Sequence, residues 1–127
     1  MISDDGSTAD IKSVCDAFNE ILDITFIRSK RNYGCGANRA KALDYFLSNI
    51  ATEYFMFLDS DDELFPFAIQ RLEEIITHNE ADIIITNLQQ EVGGPTKNLI
   101  LAQDSRTWLH GKIYKTQFFI DHKITFP

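Results

Sequence analysis

Four acids crowd into 59-DSDDE-63, directly behind the apolar run 54-YFMFL-58. Carboxylates at that spacing repel one another, so the segment calls for a hard cation, a helix N-terminus or water. Asp59 closes the apolar run and Asp61 lies two residues on, so this D-x-D offers two carboxylates to one Mg2+ or Mn2+. An EF-hand is excluded, because counting from Asp59 puts Leu64 at position 6 and Gln70 at position 12, where that loop needs Gly and Glu. A helix cap accounts for one or two of the acids, and Asp62 or Glu63 is expected to serve the helix that follows.

Two other segments carry chemistry. In 1-MISDDGST-8, Asp4 and Asp5 follow a strand-like start and adjoin a glycine turn, the place where open α/β sheets bind ligands. The same residues also fit an ordinary Asx turn with an N-cap at Ser7 or Thr8. In 28-RSKRNYGCGANRAKAL-43, Gly34 and Gly36 allow positive φ or close backbone approach. Arg39 and Lys41 fall early in the predicted helix, the end where the macrodipole favours anions. Cations there fit either an anionic ligand or a solvated face. The segment is neither G-x-G-x-x-G nor a Walker A sequence.

The elements that must hold these residues alternate. A strand ending at Asp4 leads to a helix through about Asn19, with Ile11, Val14, Cys15, Phe18 and Leu22 on one face. A strand at 24-ITFIRS-29 leads through the glycine loop to a helix over about 37–48, with Ala40, Leu43, Phe46 and Leu47 inward. The run 54-YFMFLD-59 predicts a strand buried on both faces, and Pro66 opens a helix to about His78 with Ile69, Leu72, Ile75 and Ile76 on one side. The run 82-DIIITNL-88 is another buried strand. Such alternation predicts an α/β domain with a mostly parallel sheet. Beyond Gln89 the pattern changes: Gly93-Gly94-Pro95 signals a loop, 98-NLILA-102 reads as a strand, and 107-TWLHGKIYKTQFFIDHK-123 as partly helical.

The bulk properties narrow the partners. A chain of 127 residues, 44% hydrophobic and 12% aromatic, can bury a core and reads as one domain. Its net charge of −7 speaks against nucleic acid. Yet Arg28, Lys30, Arg31, Arg39 and Lys41 form a local basic segment without an acid, which suits a small anionic ligand. Cys15 and Cys35 have neither disulfide-framework nor zinc spacing, so reduced thiols in a cytoplasmic protein are expected. No apolar run reaches the ~18–20 residues of a membrane span, and no signal peptide is visible.

In order and spacing, 4-DDGSTAD-10, 32-NYGCGANRAKAL-43, 59-DSDDELFP-66 and 108-WLHGKIYKTQFFIDHKITFP-127 resemble the inverting GT-A glycosyltransferases of family 2. The resemblance covers nearly the whole chain and implies a Rossmann-like, three-layer GT-A fold, with residues 1–88 as the nucleotide-sugar half and 89–127 as the start of the acceptor side. It implies that Asp5 faces a ring N–H of the base with Asp4 beside it, and that Arg39 contacts the nucleotide. Asp59 and Asp61 would be the D-x-D pair holding Mg2+ or Mn2+ on the diphosphate, and Lys112 would lie near the phosphates or the acceptor. The donor would be a nucleotide-diphosphate sugar, a UDP-sugar by preference, and the acceptor a glycan or lipid-linked saccharide. The place of work would be the cytoplasm, with the inner face of the membrane as a peripheral alternative.

The sequence also departs from the family pattern. Where the family reads A-R-N, this chain reads Asn38-Arg39-Ala40. Family members precede the Asp4 strand with another strand and a P-x-Y-N-like loop, and follow I-x-F-P with an acidic motif carrying the general base. Without these, the expectation is a fold incomplete at both ends, a catalytic base that cannot be assigned, and a protein partner or oligomer, a rearranged strand or an omitted stretch of the parent protein completing the sheet. A non-catalytic nucleotide-binding or interaction module is therefore the rival reading. A nucleotidyltransferase would want a glycine- and lysine-rich N-terminal loop, which is not present.

Overall fold

A computed structural model describes residues 1–50, 52–92, 98–102, 109 and 111–126. They form two compact units, Met1–Ala51 with His122–Pro127, and Thr52–Asp121.

In the first unit, β1 (Ile2–Asp4) pairs in parallel with β2 (Phe26–Arg28), and the register sets Asp4 opposite Arg28. Between them runs α1 (Ile11–Ala17), capped by Asp10 rather than by Ser7 or Thr8. The Ser7 N–H is already bonded to Oδ1 of Asp4 at 2.9 Å, whereas Asp10 accepts from the Ser13 N–H at 3.2 Å and the Ser13 hydroxyl at 2.6 Å. Of the apolar face expected on α1, Cys15 is buried, while Val14, Phe18 and Leu22 are about half exposed.

The second helix, α2 (Cys35–Asn49), begins two residues earlier than its apolar spacing predicts. Gly34 supplies the reason: at φ 91° and ψ 160° it occupies a region open essentially to glycine alone, and the chain turns there into the helix. Ala42, Leu43 and Phe46 are the buried positions of α2. Ser3 and Asn38 tie α2 to β1 reciprocally. The Ser3 hydroxyl donates to Oδ1 of Asn38 at 2.7 Å, and the Asn38 amide donates to the Ser3 carbonyl at 3.0 Å.

In the second unit, β3 (Tyr54–Met56) and β4 (Ile83–Ile85) flank β7 (Lys112–Lys115), each antiparallel to it, so β3 and β4 run parallel to one another. The strand expected over 54–59 thus spans three residues, all half-buried. β7 falls inside a segment that reads as partly helical; the helical part is α4 (Thr116–Asp121), just after it. Phe55, Tyr114 and Phe119 pack edge-on or tilted with ring centroids 5.0–5.6 Å apart, fixing α4 against the sheet.

α3 (Ala68–His78) follows the acidic turn. Its N-cap is Phe67, left-handed at φ 64° and without a side-chain cap, so the expected capping by Asp62 or Glu63 is not what starts this helix. β5 (Leu88–Val92) and β6 (Asn98–Ala102) form an antiparallel pair. The loop expected at Gly93-Gly94-Pro95, and Trp108 of the last motif, lie outside the described residues. No helix among the described residues is long and apolar enough to cross a membrane.

Candidate functional site

The parallel pairing of β1 and β2 delivers a carboxylate and a guanidinium side by side at the strands' C-terminal ends. Asp4 is buried, 6% exposed. Its Oδ1 accepts the Ser7 N–H three residues on, and its Oδ2 lies 2.9 Å from Nε of Arg28. That ion pair satisfies Oδ2 by charge, without an aligned N–H. The Ser7 hydroxyl and N–H hold the Asp4 carboxyl below its ordinary value, with Arg28 and Lys41 helping and burial opposing. Asp4 therefore shapes the turn from beneath.

Asp5 is half-buried and points its carboxylate at the next loop. It accepts the Tyr33 N–H at 3.0 and 3.1 Å and the Gly34 N–H at 2.8 Å. A carboxylate has about four lone-pair sites, so these bonds leave capacity for a further donor. Gly6 sits at φ 80°, and a Cβ there would lie 2.6 Å from the Arg31 carbonyl carbon and 2.9 Å from the Asn32 nitrogen. The turn at 5–7 and the loop at 31–34 are thus in backbone contact, and glycine is required between them.

Around this pair of loops, the Arg31 guanidinium sits 5.0 Å from the ring centroid of Tyr33, whose side is half exposed. Lys41 donates to the Ser29 hydroxyl at 2.9 Å. Arg39 is half-buried early in α2. The first unit therefore brings Asp4, Asp5 and the glycine loop together.

The second unit holds the acidic turn. Asp59, Asp61 and Asp62 each place one carboxylate oxygen within 4.8 Å of the others. The turn that gathers them is closed by the Asp62 N–H donating to the Asp59 carbonyl at 3.1 Å. Asp59 is half-buried and the other two are exposed. Oxygen donors at such spacing fit Mg2+ or Mn2+, which take hard ligands and keep several waters. Asp62, read from sequence as a capping residue, joins the D-x-D pair. Lys112 lies on β7 opposite Ile85 and is 7% exposed.

Sequence reasoning placed Arg28 only in a basic segment and missed its pairing with Asp4, and it missed the Ser3–Asn38 pair. A signal for Arg28 was available: two short strands ending in opposite charges, 2-ISD-4 and 26-FIR-28, pair those charges if they run in parallel. Asn38 gave none, because its partner lies 35 residues away on another element.

Among known proteins, the family model described as Glycosyl transferase family 2 matches residues 1–127. No significant match to a curated protein or to a solved structure accompanies it.

Proposed function

The chain belongs to glycosyltransferase family 2, and from that premise we propose that it binds a nucleotide-diphosphate sugar, UDP-sugar favoured, for transfer to an acceptor hydroxyl. The observation that carries this reading is the convergence of carboxylate oxygens from Asp59, Asp61 and Asp62 within 4.8 Å. Those residues would hold Mg2+ or Mn2+, which when bound supplies positive charge to the diphosphate of the leaving nucleotide. The remaining roles fall to the protein's own groups. Asp5 presents acceptor oxygens to a ring N–H of the base, Asp4 keeps the turn in shape, and Arg39 contributes positive charge to the nucleotide. Lys112 is assigned to the phosphate or acceptor side. In this reading the acceptor is a glycan or lipid-linked saccharide.

Calorimetric titration of UDP with and without Mn2+ tests this reading. Binding that requires the metal and is lost in Asp61→Ala supports it. Absence of binding by every nucleoside diphosphate at millimolar concentration rejects it. Where UDP binds, hydrolysis of or transfer from a panel of UDP-sugars separates a transferase from a nucleotide-binding module.

A further inference from the structure

One side chain braces the whole 4–9 turn. Arg28 sets Nε 2.9 Å from the buried Asp4 carboxylate and donates from Nη2 to the carbonyls of Ser7 and, at 3.2 Å, Ala9. One planar guanidinium makes both carbonyl hydrogen bonds and the charge contact to Asp4 at fixed mutual angles, which an ammonium on a flexible stem does not. The turn so fixed has its next residue, Asp5, bonded to the N–H groups of Tyr33 and Gly34. Gly34 is in turn the residue from which α2 starts.

We propose that Arg28 is a positioning residue that, by fixing the path of residues 4–9, keeps the Asp5 carboxylate latched onto the backbone of Tyr33 and Gly34. The latch joins the base-side turn and the start of α2 into one surface formed before any ligand arrives. Preorganisation of this kind raises affinity by removing the ordering cost from the binding step. The ligand of the latch rests on the nucleotide-binding reading above; the latch itself does not.

The test uses the full chain as wild type, Arg28→Ala, Arg28→Lys and Asp5→Asn. A control, Lys12→Ala, removes the exposed Lys12–Asp16 ion pair, which shares no bond with Arg28 or Asp5. Amide hydrogen exchange is read at Tyr33 and Gly34 and at the middle of α2. Arg28→Ala is expected to speed exchange at Tyr33 and Gly34 about tenfold or more, leaving mid-α2 amides and the control unchanged. Asp5→Asn is expected to do the same. Arg28→Lys, which keeps the charge but not the three-way geometry, falls between, and low-millimolar guanidinium restores protection in Arg28→Ala. UDP affinity in Mn2+ is expected to fall about tenfold in Arg28→Ala at unchanged stoichiometry. Unchanged exchange at Tyr33 and Gly34, or a uniform rise at all amides, overturns the proposal, and Arg28→Lys decides it if Arg28→Ala does not fold. A wild type that binds no nucleotide while these amides respond to Arg28 rejects the nucleotide reading and leaves the latch standing.

Discussion

Acidic residues of similar appearance do different work in this chain, and burial and partners distinguish them. Asp4 is buried and committed to Ser7 and Arg28, so it is a scaffold. Asp5, one residue on, bonds backbone of another loop. Asp59, Asp61 and Asp62 bring oxygens together instead of separating them. Mutual repulsion in that turn is relieved by a cation, so Mn2+ is expected to raise the melting temperature of the wild type. At tenfold excess over Kd the gain is about 1.4 kcal/mol by mass action. Asp61→Asn is expected to lose that gain while melting no lower than wild type in chelator, a pattern that differential scanning calorimetry resolves. Gly6→Ala meets both positive φ and a backbone 2.6 Å away, and is expected to cost about 1–3 kcal/mol in urea unfolding. At this scale the acids and glycines were legible from type and spacing alone. What each acid touches was not, since Asp5's donors lie 28 and 29 residues away.

Among elements, legibility followed the strength of local signals. The alternation of short strands with α1, α2 and α3 is visible in the sequence because each apolar run has its own period. β7 was hidden because Lys112-Ile113-Tyr114-Lys115 is short and continues directly into α4, so period-2 and helical signals merge. The start of α3 shows the opposite error. Acids before a proline look like caps, yet the chain makes its turn at Phe67, which is left-handed and 80% exposed. A left-handed Phe with little packing to lose is locally strained. Phe67→Asn is therefore expected to stabilise the protein by about 0.5–1 kcal/mol, because asparagine tolerates that conformation and offers a capping oxygen. A raised urea midpoint with an unchanged m-value would show it; a lowered midpoint would mean that the Phe67 ring packs more than its exposure implies.

For the molecule as a whole, the charge of −7 and the perturbed side chains set the pH dependence of stability together. Asp4 and Asp10 both titrate below their ordinary value of 3.8, Asp4 chiefly through the Ser7 hydroxyl and Asp10 chiefly through that of Ser13. Near and below 3.8 the unfolded chain binds more protons at these positions than the folded one. Their contribution is thus fully present above that value and lost as pH falls through the lowered folded values. Lys12, raised above 10.5 by its bond to Asp16, behaves inversely: its contribution is present below 10.5 and lost as pH rises through the higher folded value. Net negative charge adds self-repulsion that eases as pH falls from 7 towards mild acid. Stability is therefore expected to peak at about pH 5–6 and to fall steeply below 3.8. Asp4→Asn should melt lower at neutral pH, since Arg28 loses its carboxylate, and its acid limb should be shallower than that of the wild type. Thermal melts by circular dichroism from pH 2 to 7 compare the two limbs, and parallel limbs would show that Asp4 is not the group that titrates. Added salt separates the contributions further: screening weakens the exposed Lys12–Asp16 pair more than the Asp4–Arg28 contact, in which Asp4 is buried and Arg28 partly exposed.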